Sequence, residues 1–291
     1  MNTHVVKSIA VIITCFCSIA SNAATFSVLC DNSLEIAARG CTIKLSGPIA
    51  SGDADLLRST LQDRLPNGWH YHTLLLDSPG GSVGAAIELA KVVRQAVLNT
   101  TTYRFLAEGR SSPPSQKRRQ CISACFLVWV AGAERKAFID IVTPNVTSDI
   151  GLHRPYLDKA AYAGAPEAVA TMQQKIMQAV AEYLQREQIP QSLIEKMLQR
   201  ASTQIYWLGP EDEEIVGRAS WFEEMMIARC GFDPSYDHET EAWVAQSIFE
   251  YSKTGKPLDL GPRYSKYIEW RQEYNACEYG VREAAQAVAR Q

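Results

Sequence analysis

The segment His72–Val83, HTLLLDSPGGSV, decides how the chain is read. Thr73–Leu76 is a short apolar run of the kind that forms a buried strand. It leaves through Pro79, Gly80 and Gly81 and enters a helix at once, because Val83, Ile87, Ala90, Val93 and Val97 recur at helical spacing. Glycine is used where the backbone takes unusual dihedrals or approaches something closely. Proline fixes one dihedral and removes a donor. Together they make a rigid corner whose N–H groups face outward beside a helix N-terminus, where negative charge is favoured. Such a corner either cradles a phosphate or stabilises the oxyanion of acyl transfer. A phosphate loop requires Lys-Ser/Thr after its last glycine, and Ser82-Val83 is not that. Gly80, Gly81 and Gly84 miss the first spacing of the dinucleotide fingerprint G-x-G-x-x-G. The oxyanion hole is the better reading, with a plain tight turn as its bland alternative.

Working outward, Cys30 to Ser46 reads as a short hairpin, in which Thr42–Ser46 alternates as a strand should. Asp53 to Leu65 is helical, with Asp53 as its N-cap and Pro66-Asn67-Gly68 as its stop. A strand over Thr101 to Leu106 completes the rhythm βαβαβ, that of a parallel sheet with covering helices. Gly109 to Gln120 carries Ser, Pro and charge without periodicity and reads as a loop. Ser123 to Ala131 is apolar throughout and forms a buried helix. Strands follow at Ala137 to Val142 and near Val146 to His153, and helices at Pro166 to Glu187 and Pro190 to Arg200. Ile205–Leu208 leads into a short acidic helix, Glu211 to Val216. After about Ala228 the chain becomes a small helical extension. Its aromatic stripe, Tyr267, Trp270 and Tyr274, is more readily packing than a binding surface. The expected organisation is therefore 1–23 as a signal peptide, 24–228 as an α/β domain and 229–291 as the extension.

The 291 residues, 46% hydrophobic and 21% charged, are globular in composition. A net charge of −3 gives no footing for nucleic acid, and Lys117-Arg118-Arg119 is too short a basic run to track phosphates. His4 and Lys7, an apolar run from Ser8 to Ile19 and the small residues Ser21-Asn22-Ala23 match a cleavable secretion signal. The apolar run is about a dozen residues, short of the roughly 20 that cross a bilayer. Periplasmic or secreted localisation is expected, with no membrane attachment after cleavage. Export changes the reading of cysteine. Beyond Cys15 and Cys17 there remain Cys30, Cys41, Cys121, Cys125, Cys230 and Cys277, an even set that suggests disulfides. Six cysteines allow fifteen pairings. Proximity in sequence favours 30–41, 121–125 and 230–277. A zinc site at Cys121 and Cys125 lacks a matching second pair, so no metal is expected, and no cofactor. His70 and His72 flank Tyr71 ahead of a strand and read as strand-entry residues rather than ligands.

An oxyanion hole needs a nucleophile, and Cys121–Arg135, CISACFLVWVAGAER, offers Ser123 at the mouth of the apolar helix, with the Ala124 amide as a second donor. SPGGSV followed some forty residues later by S-x-x-x-F-L-x-x-x-A-G-A resembles the Clp protease proteolytic subunit and its ClpP/crotonase-fold relatives. KLSGPI (Lys44–Ile49), IGLHRP (Ile150–Pro155) and YWLGPEDEEIVGRA (Tyr206–Ala219) extend the resemblance over roughly residues 40 to 222. It implies a ββα superhelix with a parallel sheet. It also implies Ser123 as nucleophile, His153 as general base, and the N–H groups of Gly81 and Ala124 as the oxyanion hole. A peptide or protein is the implied substrate. The helix from Pro166 resembles the family's protruding handle, which makes a homo-oligomer plausible.

Three departures stand against this pattern. The family's third catalytic residue, an aspartate, falls at Ile205, and loss of that charge in a related triad costs about 10⁴ in rate. Asp149, Glu211 and Asp212 are the substitutes on offer. Cys121 and Cys125 flank Ser123 at −2 and +2, where a disulfide would staple its turn or crowd it. The loop Gly109 to Gln120 is an insertion. An exported serine peptidase with a Ser123–His153 dyad is the first reading. A non-catalytic relative that binds extended peptide is the second, and a crotonase-type thioester enzyme is a distant third.

Overall fold

The computed structural model describes residues 23–30, 40–63, 65, 70–102, 120–137, 148–157, 166–254 and 261–290. The molecule is mixed α/β, with a six-stranded sheet whose centre is parallel. Its spatial order is β1 (Thr25–Cys30), β2 (Gly40–Ser46), β3 (His70–Asp77), β4 (Asn99–Thr101), β6 (Glu134–Lys136) and β9 (Gly217–Arg218). β1 is antiparallel to β2, which makes the expected hairpin; β2, β3, β4 and β6 run parallel, and β9 returns antiparallel. Alternation in β2 buries Cys41, Ile43 and Leu45 on one face. The central β3 buries Leu74, Leu75 and Leu76 in succession, as an interior parallel strand does.

The helix α1 (Asp53–Gln62) crosses from β2 to β3, and α2 (Val83–Gln95) from β3 to β4. Ser82 caps α2 by accepting the Ala85 N–H at 3.3 Å, and Ala86, Leu89, Ala90, Val92 and Val93 face the core. Asp53 is not the N-cap of α1. Gly52, at φ 95, occupies that position, and Asp53 is the first helical residue with its carboxylate turned inward.

The strand expected over Thr101 to Leu106 lies earlier, at Asn99–Thr101, because α2 ends in a tight turn at Val97, where φ is 51. That expected at Ala137 to Val142 likewise lies earlier, at Glu134–Lys136. Thr102 and Ala137 are not in strands, and the rest of both expectations, with the loop Gly109 to Gln120 apart from its last residue, falls outside the described residues. A second, three-stranded sheet joins β5 (Cys121–Ile122), β7 (Ile150–Leu152) and β8 (Tyr206–Trp207). From β5 the chain enters α3 (Ala124–Trp129), every residue of which is buried. α4 (Pro166–Arg186) and α5 (Gln191–Gln199) follow, and the expected acidic helix is a 3-10 turn at Pro210–Ile215.

The C-terminal quarter is helical, as α6 (Ser220–Cys230), α7 (Pro234–Thr254) and α8 (Gly261–Ala289). α8 returns to the main sheet. Arg282, fully buried, donates to Val97 O and to Asn99 Oδ1 and pairs with Glu278. Gln286 donates to Tyr71 O at 2.5 Å. Most of the aromatic stripe is packing: Phe232, Trp270 and Tyr274 stack on one another, with Tyr267 also buried. All three expected disulfides are bonded: Cys30–Cys41, Cys121–Cys125 and Cys230–Cys277.

Candidate active site

The glycine corner is held from both sides by backbone hydrogen bonds. Ile49 N–H donates to Gly80 O at 2.7 Å and Ser82 N–H donates to Ile49 O at 2.9 Å, so Ile49 brackets Gly81. On the other side Ser78 N–H donates to Gln120 O, and Ile122 N–H donates to Ser78 O at 3.0 Å. The corner is thus stitched to the strand that precedes Ser123. Ser78, buried, also turns its side chain back on the corner, where Oγ accepts the Gly80 N–H at 3.1 Å. This is the short-range serine turn that favours such positions. It occupies the first glycine amide and leaves the second. Gly81 is exposed, and among the described residues its N–H has no acceptor.

Ser123 stands against this corner. A Cβ placed on Gly80 would lie 2.7 Å from Ser123 Cβ and 3.1 Å from Ala124 N, so only a residue without a side chain permits the approach. Gly80 has φ 101 and Gly81 φ 144, a second reason for glycine at both. Ser123 has φ 60 and ψ −124, a conformation rare outside glycine. Holding it costs about 1–3 kcal/mol. The fully buried Cys121–Cys125 bridge closes a ring around this residue while Ser123 itself stays half-exposed. The bridge therefore braces the elbow from its inner side and does not cover it. Ala124 N–H, at the first position of α3, also has no acceptor among the described residues.

β5 pairs in parallel with β7, Cys121 with Ile150 and Ile122 with Gly151, and Ser123 N–H donates to Gly151 O at 2.9 Å. Ser123 follows β5 and His153 follows β7, so the two residues leave adjacent parallel strands at the same end. His153 is half-buried, and its Nδ1–H donates to Arg154 O at 2.9 Å. A carbonyl only accepts, so the Nδ1 proton is fixed and Nε2 is left as the basic nitrogen.

Ile205, where the resemblance implied an aspartate, lies on the strand segment beside His153. β8 pairs antiparallel with β7, Gly151 with Trp207 and Leu152 with Tyr206, so Ile205 falls opposite His153 and packs over Gly151. None of the substitutes fills the gap. Asp212 accepts from Lys196, Tyr206 and the Gly209 N–H, and Glu211 from Tyr206. Asp149 stands four residues before His153, about 13 Å back along an extended strand. His70 and His72 lie within β3, which begins three residues earlier than expected, and burial, then the neighbouring Arg282 charge, pushes both below the usual imidazole range. No cluster of His, Cys, Asp or Glu suited to a metal exists among the described residues.

Of the residues expected at the site, Gly81, Ser123 and Ala124 lie at the glycine corner and His153 follows the adjacent strand; Ser78, Ile49 and Arg154, which the sequence did not single out, hydrogen-bond to this region. Ser78 had a signal, a serine two residues before a glycine turn. Ile49 and Arg154 act through backbone atoms and had none.

No protein-family model matches the chain, and no curated protein is similar to it in sequence. Among solved structures it is similar to a mutant of ClpP1 from Listeria monocytogenes, at a TM-score of 0.34 and 15% identity, over 60% of this chain and 88% of that one.

Proposed function

We propose that the chain is an exported serine hydrolase acting on peptide bonds, built on a ClpP/crotonase-type superhelix. Ser123 is the nucleophile, His153 its base, and the Gly81 and Ala124 amides its oxyanion hole. Ser123 Oγ bonds to the acyl carbon as its proton passes to His153 Nε2. The carbonyl oxygen takes the negative charge and is met by the two N–H groups. The C–N bond then breaks, and the proton goes from Nε2 to the leaving amine. Water repeats the sequence on the acyl-enzyme and releases the acid. The observation that carries this reading is the strained Ser123 backbone beside two amides that have no acceptor among the described residues. Packing alone gives no reason to hold a half-exposed serine there.

In place of an aspartate, Arg154 O fixes the tautomer of His153. A neutral carbonyl stabilises the imidazolium less than a carboxylate does, so turnover is slow, by up to about 10⁴ relative to a full triad. Three disulfides support an oxidising compartment, and no helix among the described residues is long and apolar enough to cross a membrane.

The second reading is a non-catalytic relative that binds extended peptide by strand addition, favoured by Ile205 opposite His153. A fluorophosphonate probe separates the two. The hydrolase reading requires labelling of the folded protein that is lost in Ser123→Ala and His153→Ala. A folded wild type that takes no label favours the binding module.

A further inference from the structure

Asp53 is an anomaly in the core. Its side chain is fully buried at the start of α1. Oδ2 accepts the Ala50 N–H at 2.8 Å, but Oδ1 has no hydrogen-bond partner among the described residues. A buried carboxylate with one oxygen unpaired is costly, and such a group calls for a cation or a donor. Burial raises its pKa, and the amides of Ala50 and Ala24 work against that rise. Ala24 is therefore an electrostatic neighbour of Asp53, yet its single N–H closes no hydrogen bond of normal geometry with Oδ1. Ala24 is 4% exposed and Ala23 is exposed, and the two pass over Gly47 where the chain enters β1.

The bond between those two residues is the one that Ser21-Asn22-Ala23 marks for a signal peptidase. We propose that hydrolysis of the Ala23–Ala24 bond creates an α-ammonium that pairs with Asp53, and that this pair completes the Ser123 site. Water adds across the peptide bond. Ala23 leaves as a carboxylate, and Ala24 takes up a proton to become an ammonium. One fixed amide donor is replaced by three donors and a positive charge, which can meet the vacant oxygen. An α-amine has an ordinary pKa of about 7.7–8.0, so it is charged at neutral pH, and the carboxylate holds it so.

The route to the active site is short. Asp53 holds Ala50, and Ala50 follows Ile49, whose N–H and C=O bracket Gly81 through Gly80 and Ser82. An unpaired Asp53 loosens the loop that aims the Gly81 amide, and a paired one fixes it. Maturation and completion of the oxyanion hole thus become one event, as befits a hydrolase made inside a cell and used outside it. This regulatory part rests on the hydrolase reading; the ion pair does not.

The test uses the full chain, exported with its leader and purified as processed. N-terminal sequencing is expected to begin at Ala24. Acetic anhydride at pH 7 is expected to acetylate the Ala24 amine at least tenfold more slowly than in Asp53→Asn. Asp55→Asn, an exposed carboxylate on the same first turn, leaves that protection unchanged. A variant with one glycine inserted after Ala23 keeps Asp53 but displaces the ammonium, and it loses protection as Asp53→Asn does. Fluorophosphonate labelling of Ser123 falls tenfold or more in Asp53→Asn and in the insertion variant, and not in Asp55→Asn. A different N-terminus, or equal acetylation in wild type and Asp53→Asn, overturns the ion pair. Equal labelling of wild type and Asp53→Asn overturns the coupling. A protected amine in a wild type that takes no probe keeps the ion pair and refutes the hydrolase reading with its regulation.

Discussion

The three glycines of SPGGSVG should respond to alanine with opposite signs. At Gly80 a methyl group would fall 2.7 Å from Ile122 O and from Ser123 Cβ, and φ is 101. Neither neighbour is the free end of a side chain, so the strain cannot be shed by a rotamer change. The backbone conformation costs a non-glycine residue about 1–3 kcal/mol. The overlap adds about 1–3 kcal/mol. A total near 4 kcal/mol, at about 2–4 °C per kcal/mol for a chain of this size, lowers Tm by about 8–16 °C. Gly81→Ala is at least as severe, because its methyl group would stand 2.1 Å from Ile49 O. At Gly84 a Cβ meets nothing within 4 Å, and the residue lies inside α2. Alanine there removes backbone freedom from the unfolded chain and adds about 0.5–1 kcal/mol of stability. Thermal unfolding by circular dichroism reads all three, and fluorophosphonate labelling below the lowest Tm reads the site. Gly80→Ala within 2 °C of the parent, or Gly84→Ala destabilised as much as Gly80→Ala, would refute the packing argument.

Three further outcomes follow from the same coordinates. Removing Cys121–Cys125, with a sequence separation of 4, should cost about 2 kcal/mol, and removing Cys230–Cys277, with a separation of 47, about 4 kcal/mol. Labelling of Ser123 should follow the reverse order, falling with the first bridge and holding with the second; a parallel loss in both would show that the first does not position the serine. Arg282→Ala leaves Glu278 and the Val97 carbonyl unpaired beneath α8 and should cost about 3–5 kcal/mol in urea unfolding, and Arg282→Lys should recover little of it, because an ammonium cannot span the same acceptors. His70 and His72, whose pKa values are lowered by burial and by Arg282, refuse protons that the unfolded chain binds below about pH 6.5. Stability should therefore be level above that pH and decline beneath it, by up to about 1.4 kcal/mol per pH unit for each ring, until the native pKa is reached. Urea midpoints from pH 7.5 to 5 that stay flat, or a decline that persists in the double His→Gln variant, would contradict this.

What could be read in the sequence was local. The turn after β3 is written in four adjacent residues, Ser78 to Gly81, and the apolar period of α2 begins two residues on. The three disulfides join cysteines that are consecutive in the sequence, and Ile205 stands two residues before Trp207, where the resemblance implied an aspartate. What could not be read depends on groups that meet only after folding. Arg282 reaches Val97 across 185 residues, and nothing in the periodicity of α8 marks it as buried. Asp53 looked like a helix cap because caps are usually polar; the chain instead uses Gly52 and sends the carboxylate inward. The role of Arg154 is carried by a carbonyl oxygen that every residue possesses. β4 and β6 lie earlier than the apolar pattern implies because their apolar content is low: Asn99, Thr100 and Thr101 are buried, with Thr100 Oγ1 donating to Trp129 O at 2.6 Å.

If Ser123 is the nucleophile, the Gly81 and Ala124 amides, from separate loops, converge on one point in front of it. The crystal structure of the fluorophosphonate adduct tests it most directly. A phosphonyl group on Ser123 Oγ is expected, with its phosphoryl oxygen about 2.7–3.1 Å from both the Gly81 and Ala124 nitrogens. An adduct whose oxygen points to solvent, or one formed on any other residue, would contradict it.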